Sequence, residues 1–382
     1  MSFASRLVAA AVAAAALAAP ARAADPKPAG KPIDLVLCLD VSGSMNGLID
    51  SAKLKLWEIV NELARLKPTP DLRVALYSYG HDTYTPQSGW VRKEVDLTAD
   101  LDEVYKALNG LRTNGGTELV ARVTTAALAE QKWSAADGAL KIIFVCGNEG
   151  VNQDRQVSLD EAAARAKASG VVVNTIYCGP ASDGIAPGWM GFAAKCGGKG
   201  VSIDQNRAAA EVAVKTEFDE QILKLDAELN KTYVRYGKLG EEKLANQALQ
   251  DRNALAAAPA GAAAPTAALG RAASKAGALY RNRDWDLVDR MKEDKDFDLA
   301  KLPADDLPDE LKKLTPDERL AFVRKKADER AAIQKQVAEL TAKRQKVVDA
   351  ERAKRPKTDA EKALDEAVKA VVREQAKAKG FE

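Results

Sequence analysis

The first two hundred residues alternate short apolar runs with helical stretches, and this alternation constrains the fold more than any other feature of the chain. Residues 33–39, IDLVLCL, are apolar apart from Asp34 and read as a strand buried on both faces. From Leu48 to Leu66, Ile49, Ala52, Leu56, Ile59, Val60 and Leu63 recur at steps of three and four, one face of a helix, which Pro68 and Pro70 stop. The same logic places strands at 72–79, 91–95, 140–146, 171–178 and 200–203. Helices fall between them at 101–111, 118–132, 160–168 and 188–196. Strand–helix alternation of this kind predicts an α/β fold, a doubly wound and mostly parallel sheet with helices on both faces. Ligands of such sheets sit at the carboxyl ends of the strands, so the loops after Leu39, Tyr79, Cys146 and Cys178 are the ones that carry chemistry.

The loop after the first strand reads Asp40-Val41-Ser42-Gly43-Ser44-Met45. One carboxylate and two hydroxyls at alternate positions turn three oxygens toward a common centre. That donor set suits a hard divalent cation, Mg²⁺, Mn²⁺ or Ca²⁺. The ordinary role of Asp and Ser in turns and helix caps competes with this reading. A second loop, Asn114-Gly115-Gly116-Thr117, precedes a helix; its glycines permit close backbone approach, and Thr117 adds a hydroxyl that also suits an N-cap.

These two loops, in this order and spacing, resemble the von Willebrand factor type A (VWA) domain family over about residues 31–220. Leu97-Thr98-Ala99-Asp100 resembles a further segment of the family. The resemblance implies a metal-ion-dependent adhesion site, MIDAS, with Asp40, Ser42, Ser44 and Thr117 as metal ligands, direct or through water. It implies a protein ligand whose carboxylate completes the coordination of the cation: binding and not catalysis. One position departs from the pattern. The family's Thr-Asp-Gly after the fourth strand is replaced by Val145-Cys146-Gly147-Asn148-Glu149, so Gly147 stands at the aspartate, with Asn148 or Glu149 as additional candidate ligands.

Composition narrows the remaining function classes. Lys and Arg number 57 against 55 Asp and Glu, a net of +2, which argues against a nucleic-acid-coating role. A single histidine, His81, excludes a multi-histidine metal centre within one chain and reads as a rim residue; no nucleophile–base pair is evident, so the chain is not read as an enzyme. The N-terminal MSFASRLVAAAVAAAALAAPARA places Arg6 before a short apolar run that ends in Ala-Arg-Ala, which reads as a signal peptide over residues 1–23. The mature chain is then exported, periplasmic or secreted, in a bacterium by its Ala-rich leader, with no transmembrane segment.

Export permits disulfides. Cys178 ends a strand and Cys196 follows a Pro/Gly-rich loop, which predicts a Cys178–Cys196 bridge; Cys38 and Cys146 either pair or stay as buried thiols.

The second half reads differently. A helix continues through residues 207–255 with an interruption near Tyr233–Tyr236, so residues 221–269 read as helix plus an Ala/Pro-rich linker. Residues 270–382 carry 28 Lys/Arg and 24 Asp/Glu, a charged helical, partly coiled-coil region. Thr315 and Glu318 mark a capping box. Val323, Ile333, Val337, Leu340 and Val347 follow near heptad spacing, with Arg330 and Arg344 interrupting the seam. Tyr280, Trp285, Leu287 and Val288 read as a docking contact on the globular part. The expectation is an exported VWA binding protein that captures a protein ligand through a divalent cation, with self-association through the C-terminal helices. The alternative is a cell-envelope scaffold with a vestigial metal site.

Overall fold

The computed structural model describes residues 30–203, 214–257, 264–354 and 370–382. The expected signal peptide lies outside the described residues, as do Val212, Pro259, Gly261, Pro356, Leu364, Ala367 and Val368. The strands are β1 (Pro32–Asp40), β2 (Asp71–Tyr79), β3 (Val91–Thr98), β4 (Leu140–Gly147), β5 (Val172–Tyr177) and β6 (Gly200–Ser202). Between them run α1 (Asn46–Leu63), α2 (Leu101–Gly110), α3 (Val120–Glu130), α4 (Leu159–Ala168) and α5 (Ala186–Lys195). The sheet order is β3-β2-β1-β4-β5-β6, parallel throughout except for the edge strand β3. The chain first winds outward from β1 to β3, then returns beside β1 as β4 and winds the other way. The crevice at the carboxyl end of β1 is therefore the topological switch point, where open α/β sheets bind their ligands.

Side-chain alternation along β1 feeds two cores. Ile33, Leu35, Leu37 and Leu39 pack with Trp57 and Val60 of α1 and Tyr105 of α2. Val36 and Cys38 pack on the other face with Val120 and Val123 of α3 and Trp189 of α5. Asp34, the polar interruption in β1, is fully buried and paired by two 2.9 Å bonds from Arg73 of β2.

The rest of the chain lays a helical layer over α1 and α2. It comprises α6 (Asp219–Asn230), α7 (Gly240–Ala256), α8 (Thr266–Lys275), α9 (Leu287–Glu293), the short α10 (Asp309–Lys312) and the long α11 (Pro316–Ala353). Residues 370–378 form a further helical segment, whose Val371, Val372 and Ala376 join the α1-side core with Phe381. Residue Glu382 pairs with Lys67 through two backbone bonds, 2.8 and 2.9 Å. The expected interruption is present: Thr232 to Tyr236 separate α6 from α7, and Tyr233 stacks on Trp285 at 5.7 Å between ring centroids.

Three features depart from the sequence reading. The described part of the Ala-rich stretch is not a linker: Ala264, Ala267 and Ala268 are buried, and small residues on α8 let it close on α1. A Cβ at Gly270 would stand 3.3 Å from the Trp57 Cβ. The heptad-like stripe of α11 is not an open coiled-coil seam, because Val323, Val337 and Leu340 are buried against the chain's own helices. Arg330 and Arg344, the seam's interruptions, are anchors. Arg330 bonds Asp286 at 2.6 Å and Asp289 at 3.0 Å and lies 4.0 Å over the Tyr233 ring, while Arg344 reaches Asp219 at 2.9 Å. Finally, all four cysteines are buried free thiols. Cys178 belongs to the α1-side core and Cys196 to the α3-side core, so the sheet separates them and the expected Cys178–Cys196 bridge is not formed. Cys38 and Cys146 fail to pair for a related reason. Register sets Cys146 opposite Leu39, one residue from Cys38, and a one-residue offset points side chains to opposite faces.

The helical layer is tied to the α/β part through Arg271. Its guanidinium bonds Asp102 of α2 at 2.5 Å and Asp251 of α7 at 2.6 Å, and stands 5.0 Å from the Trp57 ring. Asp102 also accepts the Tyr280 hydroxyl at 2.5 Å, which seats the predicted aromatic contact. Arg271→Met leaves Asp102 buried without its cation. The expected loss is about 3–5 kcal/mol in urea denaturation; a loss below about 1 kcal/mol would mean that the ion pair does not hold the layers together.

Candidate metal centre

Three loops meet at the switch point. The first leaves β1 through Val41 to Met45, the second leaves β2 through Gly80 to Asp82, and the third, residues 114–118, leads into α3. Backbone bonds lock them: the Val41 amide donates to Tyr79 O at 2.8 Å and the Asn114 amide to Val41 O at 3.0 Å. Two glycines allow the crossing. A Cβ at Gly116 would fall 1.8 Å from the Gly80 carbonyl oxygen, so only glycine lets the third loop pass the second. Gly80 itself has φ +86, the left-handed region.

Asp40 is the buried centre of this arrangement. It is fully buried, and Oδ1 accepts the Ser42 amide at 2.8 Å. Oδ2 is buried with no hydrogen-bond partner, an orphaned carboxylate oxygen. Burial pushes its carboxyl up to about 7, with Glu118 and Glu149 adding to the rise against hydrogen bonds from Ser42. The Ser42 and Ser44 hydroxyl oxygens lie 3.4 Å apart. Adjacent oxygens about 2.1–2.4 Å from one octahedral ion are separated by about 3.0–3.4 Å, so this pair fits a shared cation without rearrangement. Asn148 brings its side-chain amide to Ser44 Oγ, with its nitrogen at 3.0 Å.

Thr117 does not cap α3. The helix starts at Val120, with Leu119 in the cap position and no side-chain cap bond, so the Thr117 hydroxyl is not committed to that role. Glu149 is exposed, and its backbone carbonyl accepts the Trp189 indole N–H at 2.9 Å. His81 is turned toward its own loop, with Nδ1 2.9 Å from Thr83 Oγ1 and its ring 5.2 Å from that of Tyr84, in keeping with a rim position. Among the described residues, no three His, Cys, Asp or Glu side chains converge tightly enough to hold a metal by themselves. Any cation here depends on hydroxyl and water ligands as well.

The sequence reading missed Glu118. Its side chain comes up against Gly80 beside Asp40 and Ser42, and burial, followed by Glu149, pushes its carboxyl upward. Taken as the first residue of a helix, Glu118 looked like a routine first-turn acid. Its place directly after Gly115-Gly116-Thr117, in a loop and not in the helix, was the available signal.

Gly147 is held by packing. A Cβ there would lie 2.6 Å from the Tyr79 hydroxyl, 2.9 Å from the Trp189 ring and 3.1 Å from Asp40 Oδ2. Tyr79 reaches across the end of β1 to donate to Cys146 O at 2.9 Å, which fixes its ring over this position.

Residues 34–184 match the family model of the von Willebrand factor type A domain. Among solved structures, proximal thread matrix protein 1 from the mussel byssus is 13% identical with a TM-score of 0.37, and the match covers 47% of this chain and 43% of that one. The SpRpn10 VWA domain is 19% identical with a TM-score of 0.35, covering 45% of this chain and 88% of that one. The pilus adhesin SpaC from Lactobacillus rhamnosus GG is 15% identical with a TM-score of 0.35, covering 48% and 29%. The chain thus spans less than half the length of the mussel protein it matches. No curated protein matches the chain in sequence.

The packing at Gly147 yields a test. Gly147→Asp is expected to lower stability by about 1–3 kcal/mol, read as the urea midpoint. Gly147→Ala should cost less in a Tyr79→Phe background than in the native one, because the nearest clashing atom is gone. Equal costs in the two backgrounds would rule out Tyr79 as the reason for glycine.

Proposed function

We propose that this chain is an exported binding protein that captures a protein ligand through a divalent cation, Mg²⁺, Mn²⁺ or Ca²⁺, at the carboxyl end of β1. The observation that carries the reading is the orphaned, buried Oδ2 of Asp40 beside two hydroxyls at the spacing of shared ligands. A buried carboxylate with an unsatisfied oxygen is costly, and a cation or its water shell relieves that cost. Ser42, Ser44 and Thr117 would hold the ion and Asp40 would supply charge. Asn148 would contribute through its contact with Ser44, and Glu149, more weakly, through charge at the rim. The cation would present an open position to a carboxylate of the partner. Nothing in this role requires bond-breaking at the site, so the reading is binding and not catalysis.

The match to the type A domain supports an interaction role for residues 34–184. In the described residues, no helix is long and apolar enough to cross a membrane. The alternative, a scaffold acting through a free helical seam, has less behind it, because α11 spends its apolar stripe within the chain and among the described residues leaves only Val347 as an exposed large apolar side chain on it.

Calorimetric titration of each cation into chelator-stripped protein tests the reading. About one equivalent is expected to bind, with no binding to Asp40→Ala or Ser42→Ala; a folded native chain that binds none of the three ions refutes it. The pH dependence follows from Asp40. With its carboxyl near 7 before the ion binds, the charged form that favours binding is present above that value and is lost below it. Affinity should therefore fall about tenfold per pH unit below about 7 and level off above it. A flat profile between pH 5.5 and 8 would remove Asp40 from the site.

A further inference from the structure

The second carboxylate that Gly147 does not provide has a candidate elsewhere in the same crevice. An imagined Cβ on Gly80 is a convenient marker of who surrounds that point: it would lie 3.0 Å from Asp40 Oδ1, 3.2 Å from Glu118 Cγ and 3.7 Å from Ser42 Cβ. Two acidic side chains and a serine therefore crowd one glycine in a left-handed conformation, Asp40 and Ser42 from the end of β1 and Glu118 from the loop before α3. The Ser42 hydroxyl oxygen stands 3.4 Å from that of Ser44, so carboxylate and hydroxyl oxygens gather in one crevice. Oxygen crowding of this kind is relieved by a cation. The orphaned, buried Oδ2 of Asp40 is a second, independent observation that points to a cation here.

We infer that Glu118 supplies the second negative charge of the cation site, taking over from the loop before α3 the role that β4 cannot fill because Tyr79 and Trp189 occupy the space over Gly147. The inference rests on the cation reading above and assigns this chain a rewired site, with one charge from the end of β1 and the other from the loop before α3. Glu118 acts directly or through a water on the ion, while Asn148 remains the neutral contact from β4. Glu149, exposed at the rim, is the competing source of charge. Charge count is one of the quantities that set the affinity of a hard-cation site, so removing the true second carboxylate has a large and specific effect.

The test is Mn²⁺ binding to the full chain, read by electron paramagnetic resonance of the free ion, with thermal melts in chelator to verify that each variant is folded. Glu118→Gln, which keeps the side-chain shape, is expected to weaken Mn²⁺ at least tenfold. Glu118→Asp should fall between the native chain and Glu118→Gln, and Glu149→Gln should weaken Mn²⁺ less than Glu118→Gln does. The melting temperature in chelator should be nearly unchanged in Glu118→Gln, while the rise on adding Mn²⁺ shrinks. Equal affinity across native, Glu118→Asp and Glu118→Gln overturns the assignment while leaving the cation reading in place. A loss in Glu149→Gln as large as that in Glu118→Gln also overturns it. Absence of Mn²⁺ binding to the native chain overturns the cation reading and this inference with it.

Discussion

A buried carboxylate that lacks a partner on one oxygen is the constraint on which the crevice depends. Asp40 sits at the last position of β1, between Tyr79 of β2 and the end of β4, where parallel pairing on both sides removes water. Its Oδ1 is satisfied by the turn it begins, through the Ser42 amide. That bond sets the course of the loop and fixes where the two serine hydroxyls go. The rest follows from bringing other loops close to a charge that solvent does not reach. Gly80 and Gly116 exist so that two more backbones can approach, and Gly147 exists so that Tyr79 can lie across the strand ends.

The helical half uses charge in a different way. Arg271, Arg330 and Arg344 each run from a helix into buried or nearly buried aspartates: Asp102 and Asp251, Asp286 and Asp289, and Asp219. Such pairs gain little over an apolar contact of equal volume, but losing one partner strands the other. They therefore select one arrangement of helices over its neighbours more than they deepen its stability, and they explain how a region with so many charged residues packs at all. Besides the side chains it sends into the α1-side core, its apolar contact gathers in two small clusters, one around Leu287 and Val323 and one around Ile222 and Val337.

The α/β half was legible because its signals are local. Continuous apolar runs and period-3.6 patterns place each strand and helix to within a few residues, and an Asp-x-Ser-x-Ser turn after an apolar strand announces the crevice. What escaped was set by distant contacts. Glu118 meets Ser42 only because the third loop threads past Gly80, which no spacing rule encodes. The cysteine pairing failed on sheet geometry, since proximity in sequence or in strand order says nothing about which face a side chain takes. Ala264 to Ala268 read as a linker because small residues look featureless until a partner helix is laid against them. Arg330 and Arg344 read as flaws in a seam because their aspartates lie 41 to 125 residues away in the chain.

Helix α1 belongs to both halves at once. Its first residue, Asn46, directly follows the loop that carries Ser42 and Ser44, while Asn61 near its other end donates to the Gly270 carbonyl at 3.0 Å and accepts the Ser274 hydroxyl at 2.8 Å. With Gly270 pressed against Trp57, α1 and α8 have no slack between them. The helix is thus a rigid rod with one end at the mouth of the crevice and its flank stitched to the helical layer. Any shift of that first loop has either to break the stitching or to carry α8 along with it.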